Sequence, residues 1–119
     1  MKIHEAADVQ YLLRKTGRVL TPSQRIVVML YASCEQRPDG TVMIKASELA
    51  VIAGMTAPVF SRTRKELVTA GWMEETGGVG SVKLYRLTPE IFEDRGQAGR
   101  HLRAVGSGPS FTGGEPTRT

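Results

Sequence analysis

The sequence lacks features that define several common protein classes. Its one cysteine, Cys34, excludes a disulfide framework and any zinc site built on cysteines. It contains no run of about eighteen apolar residues, so no segment is predicted to span a membrane. The first residues, Met1–Glu5, carry an early carboxylate and no apolar core, so no secretory signal is expected. These absences favour a cytoplasmic protein.

Motifs for catalysis and for cofactor binding are missing as well. The glycine-rich segment 77–80 is not followed by the Gly-Lys-Ser/Thr of a nucleotide-binding loop. His4 and His101 stand far apart and have no further metal ligands at useful spacing. No Ser/His/Asp or paired-carboxylate arrangement stands out. The sequence therefore predicts no enzyme, no cofactor and no small-molecule ligand.

The composition is that of an ordinary soluble domain, with charge unevenly distributed. The chain has 119 residues, of which 40% are hydrophobic and 24% charged, and its formal net charge is +4. This size indicates one small domain. The net charge is +2 for residues 1–40, −1 for residues 41–94 and +3 for residues 95–119. An excess of this size does not by itself indicate a nucleic-acid partner.

The chain is predicted to consist of three parts. Residues 1–20 form a helical extension, because apolar residues recur at helical spacing from Glu5 to Lys15. Residues 21–94 form the folded domain. Residues 95–119 hold six of the thirteen glycines and few large apolar side chains, which predicts a flexible basic tail. That tail is either a solvated segment or an arm that lies along phosphates.

The folded domain begins with a helix that Thr21 caps and Pro22 opens, since proline is tolerated at a first helical position. This helix is predicted to run to about Gln36, before the turn signal of residues 38–40. Residues 42–44 are too few for a helix and suit a short strand. One apolar face of the helix is predicted to consist of Ile26, Val27, Leu30, Tyr31 and Cys34.

Residues 46–70 are predicted to form two helices joined by a tight turn. Gly54 ends the first helix, because glycine readily adopts a left-handed conformation. Thr56 caps the second, Pro58 lies in its first turn, and Gly71 ends it. The inner side of the second helix is predicted to consist of Phe60, Thr63 and Leu67. Two short helices joined in this way form a helix-turn-helix.

A strand signal at residues 72–76, a glycine-rich loop at 77–81 and a strictly alternating strand at 82–87 predict a β-hairpin. The fold class is therefore mainly α with a small β-hairpin. The order of helix, short strand, helix, helix and hairpin resembles the winged helix-turn-helix family of DNA-binding domains over about residues 21–87. Similar modules occur in bacterial transcription regulators and in plasmid or phage replication initiators.

Two segments carry this resemblance, and one position departs from it. Ile44–Thr56 is similar to the first helix and turn of many bacterial regulators. Phe60–Met73 is similar to a recognition helix and its exit into the wing, which is the hairpin of these domains. The family usually has an apolar residue where this chain has Arg64. Either the stem of Arg64 covers the edge of the core while its guanidinium reaches outward, or the helix is slightly rotated.

The resemblance implies a second helix that enters the major groove of duplex DNA. Arg62 is the predicted base reader, because its guanidinium can donate two hydrogen bonds to guanine O6 and N7. Lys65, nearer the middle of the helix, is predicted to meet phosphate, and Ser61 to form a polar contact. The outward positions of this helix are Ala57, Pro58, Ser61, Arg62 and Lys65.

Two further regions are predicted to contact the backbone of DNA. Ser81 and Lys83 on the hairpin suit phosphate, and Arg25 lies at the start of its helix, where the helix dipole favours anions. Glu74 and Glu75 would repel phosphate, so their strand is expected to face away. The alternative for all these positions is an ordinary solvated surface.

The predicted function is sequence-specific binding of double-stranded DNA by a nucleoid-associated bacterial transcriptional regulator. One alternative is a DNA-binding module in plasmid or phage replication or partition. The other is a winged-helix module that binds protein and no nucleic acid, which the net charge of −1 in residues 41–94 favours. The N-terminal helix, with Tyr11, Leu12 and Leu13, is expected either to form a homodimer or to pack onto its own domain.

Overall fold

A computed structural model describes residues 1–95, and in this part of the chain four helices precede one β-hairpin. The predicted fold class is therefore confirmed. Met1–Pro89 form one compact unit, and the remaining described residues, 90–95, fall outside it. The predicted tail lies outside the described residues except for Arg95. The elements are α1 (Ala6–Thr16), α2 (Pro22–Ser33), α3 (Ala46–Ala53), α4 (Ala57–Thr69), β1 (Met73–Val79), β2 (Val82–Leu87) and a 3₁₀ helix (Pro89–Phe92).

The helices begin where their capping residues predict. The backbone N–H of Gln24 donates to Thr21 Oγ1 at 3.2 Å, and the Gln24 side chain accepts from the Thr21 N–H at 3.0 Å. This reciprocal pair satisfies N–H groups that have no partner inside the helix. Thr56 caps α4 in the simpler way, accepting from the backbone N–H of Val59 at 3.3 Å.

Helix α2 ends earlier than predicted, at Ser33 rather than near Gln36. Cys34 has extended backbone angles, and the Gln36 side-chain amide donates to the carbonyl oxygen of Tyr31 at 3.1 Å. The amide thereby satisfies a carbonyl at the end of the helix. The predicted strand at 42–44 is also wrong, because only Val42 forms β-bridges, one to Gln36 and one to Tyr85.

The buried side of α2 differs from the predicted one by one position. Ile26 was expected in the core but is 46% exposed, whereas Val28 is fully buried. Helix α2 contacts α1, α3, α4 and β2. These contacts bury a wide part of the α2 surface. Periodicity does not locate the centre of so wide a buried side, because apolar residues occupy almost all of it.

The inner side of α4 forms the centre of the core, as predicted. Phe60 and Leu67 are completely buried, and Thr63 is 3% exposed. The Thr63 hydroxyl donates to the carbonyl oxygen of Val59 at 2.8 Å, so its burial leaves no unpaired donor. The ring of Phe60 stacks on that of Tyr31 from α2, with centroids 6.5 Å apart. These contacts set the rotation of α4 about its own axis.

The hairpin is longer and tighter than the sequence indicates. Strands β1 and β2 pair from Met73 with Leu87 to Val79 with Val82, so only residues 80 and 81 form the turn. The predicted loop at 77–81 is therefore wrong in extent. A register shift between Glu75 and Gly77 accommodates Gly77, whose φ is +143°.

Three contacts fasten the hairpin to the rest of the unit. The Val42 N–H donates to the carbonyl oxygen of Tyr85 at 3.1 Å, and the Thr41 hydroxyl donates to Thr76 Oγ1 at 2.9 Å. The Arg86 guanidinium donates to the carbonyl oxygen of Asp39 at 2.7 Å. The hairpin is thus attached along its base by the chain between α2 and α3.

The turn between α3 and α4 depends on the left-handed conformation of Gly54, whose φ is +72°. Because a Cβ at this position would meet no atom within 4 Å, substitution tests backbone strain alone. We expect Gly54→Ala to lower the free energy of unfolding by about 1–2 kcal/mol. Gly54→Asn is the matched control and should cost less, since asparagine tolerates this conformation. Urea denaturation of both variants checks this, and equal stability of Gly54→Ala and the original chain would contradict it.

Candidate nucleic-acid interface

The five predicted positions on α4 form one exposed face of that helix. Ala57, Pro58, Ser61, Arg62 and Lys65 are all exposed. They are exposed because the opposite side of α4 is buried in the core. The rotation that the sequence predicts for this helix is therefore the one observed, and this face is called the α4 face below.

The two cations on the α4 face have no hydrogen-bonding or ionic partner in the part of the chain that the structure describes. Within residues 1–95, the side chains of Arg62 and Lys65 form neither a hydrogen bond nor an ion pair. Both line a shallow groove that continues over Thr69. The neighbouring carboxylate, Glu66, accepts a hydrogen bond from the Gln24 side chain at 3.1 Å. The donors of Arg62 and Lys65 are therefore available to an external acceptor.

The hairpin carries the predicted polar residues at exposed positions. Ser81 lies in the turn and Lys83 on β2, and both side chains are exposed. The carboxylate of Glu74 forms an ion pair with Arg86 at 2.6 Å. This pair neutralises one of the two glutamates that were expected to repel phosphate, while Glu75 remains exposed.

Arg64 fits neither of the two alternatives that the sequence left open. Its guanidinium lies over the ring of Tyr85 on β2, 4.0 Å from the centroid, and donates to the Tyr31 hydroxyl at 3.4 Å. Burial raises the pKa of the Tyr31 hydroxyl, while Arg64 opposes that rise. The arginine thus joins α4 to the hairpin and to α2, and α4 keeps its predicted rotation.

The donors of Arg25 are directed inward, toward α1. Its Nε donates to Thr16 Oγ1 at 3.1 Å, and its Nη2 donates to the carbonyl oxygen of Leu13 at 3.1 Å. These bonds satisfy acceptors in the last turn of α1, where cations are favoured by the helix dipole. Arg25 therefore joins α2 to α1. It does not lie on the α4 face or on the hairpin with the other predicted site residues.

Sequence reasoning missed two polar residues beside the hairpin. Lys45 and Ser47, at the start of α3, line the same cleft as Ser81 and Lys83. The sequence contains no local signal for this proximity, because 34 residues separate Ser47 from Ser81 along the chain. The pairing arises only when the hairpin folds back on the helix-turn-helix.

The described part of the chain holds neither a metal-binding cluster nor a membrane-spanning helix. Residues 1–95 contain no group of three or more His, Cys, Asp or Glu residues arranged to hold a metal ion. None of the helices formed by these residues is both long enough and apolar enough to cross a bilayer.

The fold is that of a winged helix-turn-helix domain, with α3 and α4 as the helix-turn-helix and the hairpin as the wing. Several solved structures are similar to this chain. RV1404 from Mycobacterium tuberculosis is 17% identical, with a TM-score of 0.50 over 90% of this chain and 81% of the other. A homodimeric winged helix-turn-helix DNA-binding domain from Mycobacterium bovis is 18% identical, with a TM-score of 0.48 over 90% and 91% of the two chains.

A MarR family transcriptional regulator from Silicibacter pomeroyi is 20% identical, with a TM-score of 0.43 over 87% of this chain and 68% of the other. No protein-family model matches the sequence, and no curated protein is significantly similar to it. The element order and the antiparallel hairpin confirm the predicted winged helix-turn-helix architecture, and the likeness to RV1404, at 17% identity, concerns the fold alone.

The contact of Arg64 with Tyr85 is expected to stabilise the attachment of the wing. In a double-mutant cycle with Arg64→Met and Tyr85→Leu, the coupling free energy should be about 0.5–1 kcal/mol, the range of a partly exposed cation–π pair. Urea denaturation of the two single variants and the double variant measures it. If the single effects add without coupling, the two groups do not stabilise each other.

Proposed function

We propose that this protein binds double-stranded DNA with sequence preference and acts as a transcriptional regulator at the bacterial nucleoid. In this proposal the α4 face lies in the major groove and the wing contacts the adjacent backbone. No chemical reaction is involved.

The α4 face is the observation that carries this proposal. A helix in the major groove needs one side free of intramolecular contacts and donors that reach base edges. Helix α4 has such a side, with small or short side chains at Ala57, Pro58 and Ser61. Its two cations, Arg62 and Lys65, form no ion pair with any of residues 1–95. Small residues near the start of the helix allow its backbone to approach the bases closely.

The charge of residues 41–94 does not oppose this proposal, although their net charge is −1. The charge of Glu74 is paired with that of Arg86, whereas Glu66 accepts a hydrogen bond from the neutral Gln24 amide and keeps its negative charge. Exposed charges more than about 10 Å apart are largely screened at 0.1 M salt. The potential at the α4 face therefore depends on nearby charges and not on the net charge of residues 41–94. A protein-binding module remains the second candidate, favoured by exposed Glu75 on the wing.

Arg62→Ala is expected to weaken binding to a duplex selected from a random pool by about 1–3 kcal/mol and to relax the preference at one base position. Lys65→Ala should weaken binding to all duplexes alike. It should also reduce the magnitude of the negative slope of log K against log salt by about 1. Fluorescence anisotropy at several salt concentrations measures both effects.

Arg37→Ala is the matched control, because it removes one exposed positive charge from the turn after α2, outside the α4 face. It should leave base preference unchanged. If Arg62→Ala binds the selected duplex as tightly as the original chain does, α4 is not the recognition helix. A salt-independent affinity for every duplex would favour the protein-binding alternative.

We further propose that the protein acts as a homodimer. One winged module buries limited surface on DNA, and a second copy lengthens the site. Tyr11 and Leu12 are buried within their own chain, so of the three α1 residues expected at a dimer interface only Leu13, 44% exposed, is available. It lines an apolar groove together with Ile26 and Ile52, which are 46% and 63% exposed.

A charge at this groove is expected to prevent self-association. Ile52→Glu should shift the protein from dimer to monomer, because the carboxylate would have to be desolvated in the interface. Val79→Glu is the control, since Val79 is an equally exposed apolar residue on the wing, away from the groove. Sedimentation equilibrium measures both variants. A monomeric original chain at all micromolar concentrations would contradict the dimer.

A further inference from the structure

A second concave surface lies between the helix-turn-helix and the wing. It is a cleft of about 330 Å³, and its walls come from three elements of the fold. It is called the α3–wing cleft below. Its lining residues are Lys45, Ala46, Ser47, Arg64, Ser81, Val82 and Lys83.

The lining has the chemistry of an anion site. It contains three cationic side chains, Lys45, Arg64 and Lys83, and two hydroxyls, and no carboxylate is among its residues. A wall that combines ammonium, guanidinium and hydroxyl groups suits the oxygens of a phosphate group. A region whose overall charge is negative therefore contains one locally positive concavity.

The cations of this cleft differ in how firmly they are held. Arg64 is fixed over the Tyr85 ring and bonded to the Tyr31 hydroxyl, and it lines the cleft from α4. The side chains of Lys45 and Lys83 are exposed, and their ammonium groups form no hydrogen bond or ion pair with any residue from 1 to 95. The arrangement thus has one preorganised charge and two ammonium groups free to close on a ligand.

We infer that the α3–wing cleft binds a phosphate group, with Lys45 and Lys83 as its principal ligands and Ser47 and Ser81 as additional donors. This inference rests on the proposed function, according to which the bound phosphate belongs to the backbone of DNA. Contacts to phosphate hold a protein in register on a duplex and carry no sequence information. The cleft would therefore contribute affinity, and the α4 face selectivity.

Two arms of one experiment on the full chain separate the sources of the phosphate. In the first, Lys45→Ala and Lys83→Ala are titrated with a selected duplex and with an unrelated one across a range of salt. Each variant should weaken both duplexes by the same factor, and each should lower the magnitude of the salt slope by about 0.9, the value for one phosphate contact. The base preference should stay unchanged.

In the second arm, inorganic phosphate is titrated into the isotope-labelled protein at constant ionic strength, with sulfate-free chloride as the reference salt. Saturable shifts of the Ser47 and Ser81 amide signals, lost in the Lys45→Ala Lys83→Ala double variant, indicate a site for free phosphate. If the original chain binds no duplex, the proposed function fails, and this arm alone then decides whether the cleft binds phosphate.

The controls separate a contact from a general charge effect. Lys45→Arg and Lys83→Arg keep the charge and should restore most of the salt slope, whereas Arg37→Ala removes a charge elsewhere. If Lys45→Ala and Lys83→Ala change duplex binding no more than Arg37→Ala does, and inorganic phosphate shifts neither amide signal, the α3–wing cleft is not a phosphate site.

Discussion

The burial of one side of α4 is the constraint on which the rest of this structure depends. Phe60, Thr63 and Leu67 are almost completely removed from solvent, in contact with α2, α3 and β1. Burying large apolar side chains contributes about 1.5–3 kcal/mol each, more than any exposed contact of the same helix supplies. Because burial of Phe60, Thr63 and Leu67 fixes the rotation of α4 about its axis, the opposite side of the helix stays exposed without any contact of its own.

The second constraint is the attachment of the wing. The side chain of Arg64 extends from α4 over the ring of Tyr85. Thr41 and Val42 form hydrogen bonds to the base of the hairpin. Arg64 thereby stabilises the angle between α4 and the wing. The same side chain also adds a positive charge to the α3–wing cleft, so its effect on packing and its effect on electrostatics are linked.

Much of this arrangement is predictable from the sequence, for local reasons. Thr21, Thr56 and Gly54 act through backbone groups a few residues away, so their caps and turn are visible in the sequence itself. The inner side of α4 is also visible, because Phe60 and Leu67 stand out against polar neighbours. The wider apolar surface of α2 does not offer that contrast, and Ile26 was misplaced for this reason.

The remaining features depend on contacts between distant segments. Gly77 of β1 pairs with Leu84 after a register shift at Thr76, and strand alternation does not reveal this irregularity. The role of Arg25 depends on the last turn of α1, and the proximity of Lys45 to Lys83 depends on how the wing folds back. Their residue types permit several partners, and only the tertiary arrangement selects one.

The central claim is that the exposed side of α4 meets duplex DNA while its buried side holds the fold together. The most direct measurement is a ¹H–¹⁵N NMR titration of the full chain with a duplex enriched from a random pool. The largest signal changes are expected on residues 57–65 and on the turn of the wing. Changes confined to α1 and the apolar groove, with the signals of α4 unmoved, would contradict it.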